Sequence, residues 1–126
     1  MDKKESMEDY LERILMLSET LEIVRSIDIA RFMNFSKASV SIAIKKLVAK
    51  GLVLHNEITG EIRLTKEGYD IASKTLDRHK TLSAFFEYLG VEKNQALKDA
   101  CRVEHDLSEN TYTLLKEFII KTMNNK

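Results

Sequence analysis

The sequence contains no proline and only four glycines among its 126 residues. Proline breaks helix interiors and glycine weakens them, so a chain almost without either can run through consecutive helices joined by short connections. That predicts a mainly α protein. Each glycine has a structural use. Gly51 follows a helical stretch and precedes Leu52-Val53-Leu54, and Gly90 does the same before Val91, so both suit the residue after a helix C-terminus. Gly60 closes Asn56-Glu57-Ile58-Thr59-Gly60 between two short apolar runs, as a hairpin turn does. Gly68 lies in the first turn after Thr65. None clusters into a phosphate-cradling loop, which disfavours a nucleotide-binding enzyme.

Apolar spacing places the elements. A first helix is expected from Ser6, a candidate N-cap with Asp9 three residues on, to Ser18; Tyr10, Leu11, Ile14, Leu15 and Leu17 form its stripe. A second runs from Ser26 to Met33. After Asn34-Phe35, Ser36 can cap a third, Lys37 to Lys50, with Val40, Ile44, Leu47 and Val48 on one face. Two β-like runs follow, Leu52 to His55 and Glu61 to Leu64, and Thr65 caps a new helical pattern. Two helices with a tight turn, then a two-stranded ribbon, make the winged form of the helix-turn-helix.

This arrangement gives the zero formal net charge a different meaning. Between Arg25 and Lys50 the basic residues are Arg25, Arg31, Lys37, Lys45, Lys46 and Lys50, against Asp28 alone. The bland reading is a solvated helix face; with the capped helix, turn and wing added, the stripe reads as a double-stranded DNA surface. Lys37, Lys45 and Lys46, with Arg63 on the wing, are candidate phosphate contacts. Ser36, Ser39 and Ser41 suit phosphate or base edges near the helix N-terminus. Ile42 suits a thymine methyl group, its duller alternative being partial burial beside Phe35.

Beyond Thr65 the pattern stays helical. Leu76, Leu82, Phe85, Phe86 and Leu89 precede Gly90, a shorter helix spans Asn94 to Leu107, and a last one, Glu109 to Met123, carries Leu114, Leu115, Phe118, Ile119 and Ile120. So small a half cannot easily bury all of these, and a two-fold homodimer is the natural sink, packing onto the first helix being the alternative. The expected architecture is a winged helix-turn-helix DNA-binding domain, residues 1–72, followed by an all-helical dimerisation domain, residues 73–126. At 44% hydrophobic the chain can bury a core. One cysteine makes no internal disulfide, and there is no apolar run of membrane-spanning length or signal segment before Met7. A cytoplasmic protein is expected.

Cys101, Glu104 and His105 stand at i, i+3 and i+4, so a helix presents them on one face. Thiolate, carboxylate and imidazole are transition-metal ligand types, although a lone cysteine is usually a small core residue and Glu/His pairs are common on surfaces. Asp9 and Glu12 are a second candidate pair, whose ordinary reading is an acidic first turn favoured by the helix dipole. His79, between Arg78 and Lys80, is a third; such a histidine is most often exposed and idle.

At these residues the sequence resembles a known family. Ser6-Met7-Glu8-Asp9-Tyr10-Leu11-Glu12 is similar to the opening of the manganese- and iron-responsive regulators of the diphtheria toxin repressor and manganese transport regulator family. Ala100-Cys101-Arg102-Val103-Glu104-His105-Asp106-Leu107-Ser108 is similar to that family's metal-site helix. Ser26-Ile27-Asp28-Ile29-Ala30 and Leu64-Thr65-Lys66-Glu67-Gly68 fit as well, so the resemblance runs the length of the chain. It implies a homodimeric transcriptional regulator, not an enzyme, activated by a divalent metal at the junction of its two domains. Such a regulator usually represses metal-uptake genes at a palindromic operator, with no membrane partner or organic cofactor. Carried over position by position, Asp9, Glu12, His79, Cys101, Glu104 and His105 are the ligands. The SH3-like third domain of larger members is expected to be absent.

The departures colour the metal. Manganese-type members have a carboxylate where Cys101 stands, and iron-type members pair that cysteine with a methionine at the Asp9 position. A further family glutamate is Ser83 here, and Leu97 lies near the place of an iron-type histidine, so a single strong site is expected. Thiolate and imidazole favour Fe(II), Co(II) or Zn(II), while the carboxylates suit Mn(II); Mn(II) or Fe(II) is the expected cofactor, with Zn(II) or Co(II) binding in vitro. The alternative is a winged-helix regulator answering a small ligand or oxidation of Cys101.

Overall fold

The computed structural model describes residues 3–125. Their order is α1 (Lys3–Ser18), α2 (Ser26–Met33), α3 (Lys37–Ala49), β1 (Val53–His55), β2 (Ile62–Leu64), α4 (Lys66–Tyr88), α5 (Lys93–Val103) and α6 (Glu109–Asn124). The chain divides into two compact units, Met1–Lys74 and Thr75–Lys126, the division falling within α4. The fold is mainly α, with a winged helix-turn-helix first and an all-helical unit second.

In the first unit, Leu11 and Ile14 of α1, Ile29 of α2, Val40, Ile44 and Leu47 of α3, Val53 of β1 and Ile62 of β2 form one buried core. Three local devices set the two ends of α2 and the start of α3. The backbone N–H of Arg25 donates to Asp28 Oδ2 at 2.9 Å, closing the start of α2. Asn34, at φ 58°, ends that helix in the left-handed region that asparagine tolerates. Ser36 then caps α3: its Oγ accepts from Ser39 N–H at 3.1 Å. Ser36→Ala is expected to lower stability by about 1 kcal/mol in urea denaturation, with Ser36→Asp retaining most of it.

The wing is an antiparallel hairpin in the register Val53↔Leu64, Leu54↔Arg63, His55↔Ile62. Asn56 builds its turn by accepting from Ile58 N–H at 2.9 Å and Thr59 N–H at 3.2 Å. Arg25 Nε donates to Thr59 O at 3.0 Å, tying the turn to the start of α2. In the second unit, Leu82 of α4, Ala100 of α5 and Ile119 of α6 meet in a small core flanked by Phe85, Phe86, Val103, Leu107 and Leu115.

Several elements differ from their sequence reading. α1 begins at Lys3, upstream of the expected Ser6 start; the Ser6 side chain lies outside the described residues. α3 ends at Ala49, and Val48 is exposed instead of sharing the buried face, because Val40, Ile44 and Leu47 already fill it. Each strand starts one residue later than expected, at Val53 and at Ile62. α5 stops at Val103, well short of Leu107, where the chain turns through Glu104, His105 and Asp106. No helix among the described residues is long and apolar enough to cross a membrane.

Candidate metal centre and nucleic-acid interface

Glu104 is the focus of the second unit. It is 1% exposed, and it lies where α5 gives way to the turn. Its Oε2 is 3.1 Å from His79 Nδ1 on α4, and its Oε1 is 3.4 Å from His105 Nε2 in the same turn. His79 is itself buried, so it is not the exposed histidine that its basic neighbours suggest. Cys101, half-buried, sits on the last turn of α5. Glu104 keeps helical dihedrals as the C-cap (φ −57°, ψ −28°), so the turn still carries on from Cys101 although the helix has ended.

A buried carboxylate between two imidazoles is costly unless a proton or a cation sits among them. Imidazole nitrogen and carboxylate oxygen are donors for first-row divalent ions. These residues therefore fit a transition metal. Ser83, one turn beyond His79, is buried and donates its hydroxyl to Lys80 O at 3.3 Å, turned back onto its own helix. In the first unit, Asp9 and Glu12 are both buried on α1, one turn apart, and Glu12 pairs with its neighbour Arg13. The acidic-first-turn reading does not hold for them: such residues are solvated, and these are not.

The helix-turn-helix presents the expected surface. Lys37, Ser39, Ser41, Ile42, Lys45 and Lys46 are all exposed on α3, opposite its buried face. Ile42 is 57% exposed and borders an apolar groove of about 360 Å³ shared with Met7 and Tyr10 of α1. Two candidates are partly committed elsewhere. The Ser36 hydroxyl caps the helix and donates to Ser39 Oγ at 2.9 Å. Arg63 is paired with Glu61, its Nε 3.3 Å from Oε2, which shares the wing's cationic charge with a carboxylate. Sequence reasoning missed Arg25 as the residue that fixes the wing; its separation from Thr59 along the chain left no local signal.

A winged helix-turn-helix with a cationic recognition helix, joined to a helical unit with buried metal-ligand donors, defines a metal-responsive DNA-binding regulator. The chain matches the iron dependent repressor N-terminal DNA binding domain over residues 3–60 and the iron dependent repressor metal binding and dimerisation domain over residues 65–124. It belongs to this family, that of the diphtheria toxin repressor and manganese transport regulator, whose members are transcriptional regulators and not enzymes. It is 38% identical over 119 residues to an uncharacterized HTH-type transcriptional regulator of Methanocaldococcus jannaschii, covering 93% of this chain and 94% of that protein. It is 31% identical over 114 residues to the HTH-type transcriptional regulator MntR of Bacillus subtilis, covering 90% and 80% respectively.

Among solved structures, the manganese regulator SloR aligns with a TM-score of 0.76 at 30% identity, over 95% of this chain and 54% of that one. A manganese-dependent transcriptional repressor in complex with manganese aligns at 0.80 and 27% identity, over 90% and 52%. The chain spans about half the length of these structures. The match to a metal-binding domain favours metal activation over a small ligand or Cys101 oxidation as the signal.

Proposed function

We propose that this chain is a homodimeric, divalent-metal-activated repressor of Mn(II) or Fe(II) uptake genes, acting in the cytoplasm on a palindromic operator. The observation that carries the reading is the buried Glu104 carboxylate, with His79 Nδ1 at 3.1 Å and His105 Nε2 at 3.4 Å. The proposed ligand set is Asp9, Glu12, His79, Cys101, Glu104 and His105, taken from the family pattern, with residues 1–72 binding DNA and 73–126 serving metal and dimer. A bound divalent ion supplies charge and directional bonds that favour one arrangement of these donors. Glu104 orients both imidazoles, and their burial keeps water from competing. The coupling to DNA is the differential affinity of two arrangements for the ion, typically about 1–3 kcal/mol.

On DNA, α3 enters the major groove. Lys37, Lys45 and Lys46 contact phosphate, Ser39 and Ser41 contact phosphate or base edges, and Ile42 meets a thymine methyl group. Ser36 acts by holding the helix start, and Arg63 contributes from the wing with its charge tempered by Glu61. The exposed Leu114 and Phe118, one turn apart on α6, are the apolar side chains offered to a second copy.

Losing one phosphate contact, in Lys45→Ala or Lys46→Ala, is expected to lower the salt slope of binding by about 1. Anisotropy across a salt series reads this, and unchanged affinity and slope in both variants would overturn the docking face. The whole reading is tested by selecting duplexes from a random pool with and without Mn(II). Enrichment of a two-fold symmetric site with the metal alone is the expected result; equal enrichment under both conditions contradicts it.

A further inference from the structure

Arg78 and His79 are consecutive on α4, and both address the turn that follows α5. Arg78 Nη1 donates to Glu104 O at 2.9 Å and to Leu107 O at 2.7 Å, while His79 meets the Glu104 carboxylate. Because α5 ends at Val103, the carbonyls beyond it have no continuing helix to bind, and something else must satisfy them. A guanidinium meets this need, since the two N–H groups on its one nitrogen Nη1 satisfy two carbonyls at once and its cationic charge is favourable at a helix C-terminus.

Arg78 is held in turn. Its guanidinium carbon lies 4.9 Å from the centre of the Tyr112 ring on α6, within cation–π range. Tyr112 Oη donates to Asp77 Oδ2 at 2.8 Å, and the same oxygen accepts from Lys116 Nζ at 2.7 Å. Burial, with the Asp77 carboxylate adding to it, pushes the Tyr112 hydroxyl up to about 12, so it stays a donor at any physiological pH. The side chain is thus clamped between α6 and the turn.

We propose that Arg78 is the positioning residue of the metal site: by pinning residues 104–107, it presents Glu104 and His105 to His79. The inference rests on the metal reading above, and no part of the family pattern drawn from the sequence contains it. Arg78 touches no ligand atom. Its removal would therefore loosen the donors without deleting one.

The test is a Co(II) absorption titration of the full chain against a competing chelator, for wild type, Arg78→Met and Arg78→Lys, with metal-free helix content and dimer mass as controls. Arg78→Met is expected to bind Co(II) about 10–100-fold more weakly, as lost outer-shell partners do, and to shift the ligand-field bands, while its metal-free controls match wild type. Arg78→Lys keeps the charge but not the planar group over the Tyr112 ring and falls between, so the inference remains testable if Arg78→Met does not fold. Wild-type affinity and bands in either variant would overturn the positioning role. Absence of any Co(II) bands in wild type would instead overturn the metal reading itself.

Discussion

Glu104→Gln is expected to abolish activation by metal while leaving the metal-free protein folded. The side chain is buried and meets two imidazoles. Glutamine preserves its volume and one acceptor oxygen but removes the charge and the second oxygen. In the metal-free state the exchange is close to neutral, since replacing a buried charge relieves desolvation as well as removing attraction. The difference lies in the holo state. Wild type is expected to gain about 2.7 kcal/mol of stability at metal concentrations 100-fold above its dissociation constant. Glu104→Gln should gain almost none. DNA affinity at saturating metal should fall to the metal-free level, about 5–150-fold for couplings of the usual size. Urea denaturation with and without Mn(II) checks the first statement and anisotropy the second. An unchanged metal-dependent gain in the variant would remove Glu104 from the site.

The second large effect is structural. A Cβ added at Gly68 would lie 2.0 Å from Leu52 O and 3.0 Å from its carbonyl carbon. The neighbouring bonds leave little room to yield: Leu52 O also accepts from Thr65 N–H at 3.1 Å, and Thr65 Oγ1 donates to Gly51 O at 2.7 Å while accepting from Gly68 N–H at 3.1 Å. The start of α4 is thus laid directly on the backbone that leads into β1. Gly68→Ala must move one backbone against the other, at an expected cost of about 2–4 kcal/mol, at or above the upper end for overpacking. Gly51→Ala is the contrast: at φ 75° with nothing within 4 Å of the added atom, it should cost about 1–2 kcal/mol, the left-handed backbone penalty alone. Urea midpoints order the two variants. Equal losses would contradict the close approach at Gly68.

Local chemistry made much of the first unit legible. α2 has the bounds its flanking residues suggest, because Asp28 closes its start and Asn34 ends it. α3 begins where Ser36 caps it. The errors arise where tertiary contacts outrank spacing. Val103 and Leu107 stand at helical spacing, yet both pack in the small core through a turn. His79 looked idle because basic residues flank it. Arg78 in fact turns to the carbonyls of Glu104 and Leu107, while Lys80 is exposed. Arg63 looked like an available cation until the hairpin brought Glu61 beside it. In the site itself, the spacing of Cys101, Glu104 and His105 was visible along the chain. The convergence of His79 on Glu104 was not, since 25 residues separate them.

The most direct measurement is DNA-binding anisotropy on a selected palindrome, titrated anaerobically and under constant reduction with Mn(II), Fe(II), Co(II) and Zn(II), for wild type and Cys101→Ala. Wild-type affinity should rise about 5–150-fold with at least one of Mn(II) and Fe(II) and return to baseline with chelator. Cys101→Ala should lose more of the response to Fe(II), Co(II) and Zn(II) than to Mn(II), because the thiolate is the softest donor in the set. Wild-type affinity indifferent to all four metals, yet altered by oxidation, would contradict metal activation.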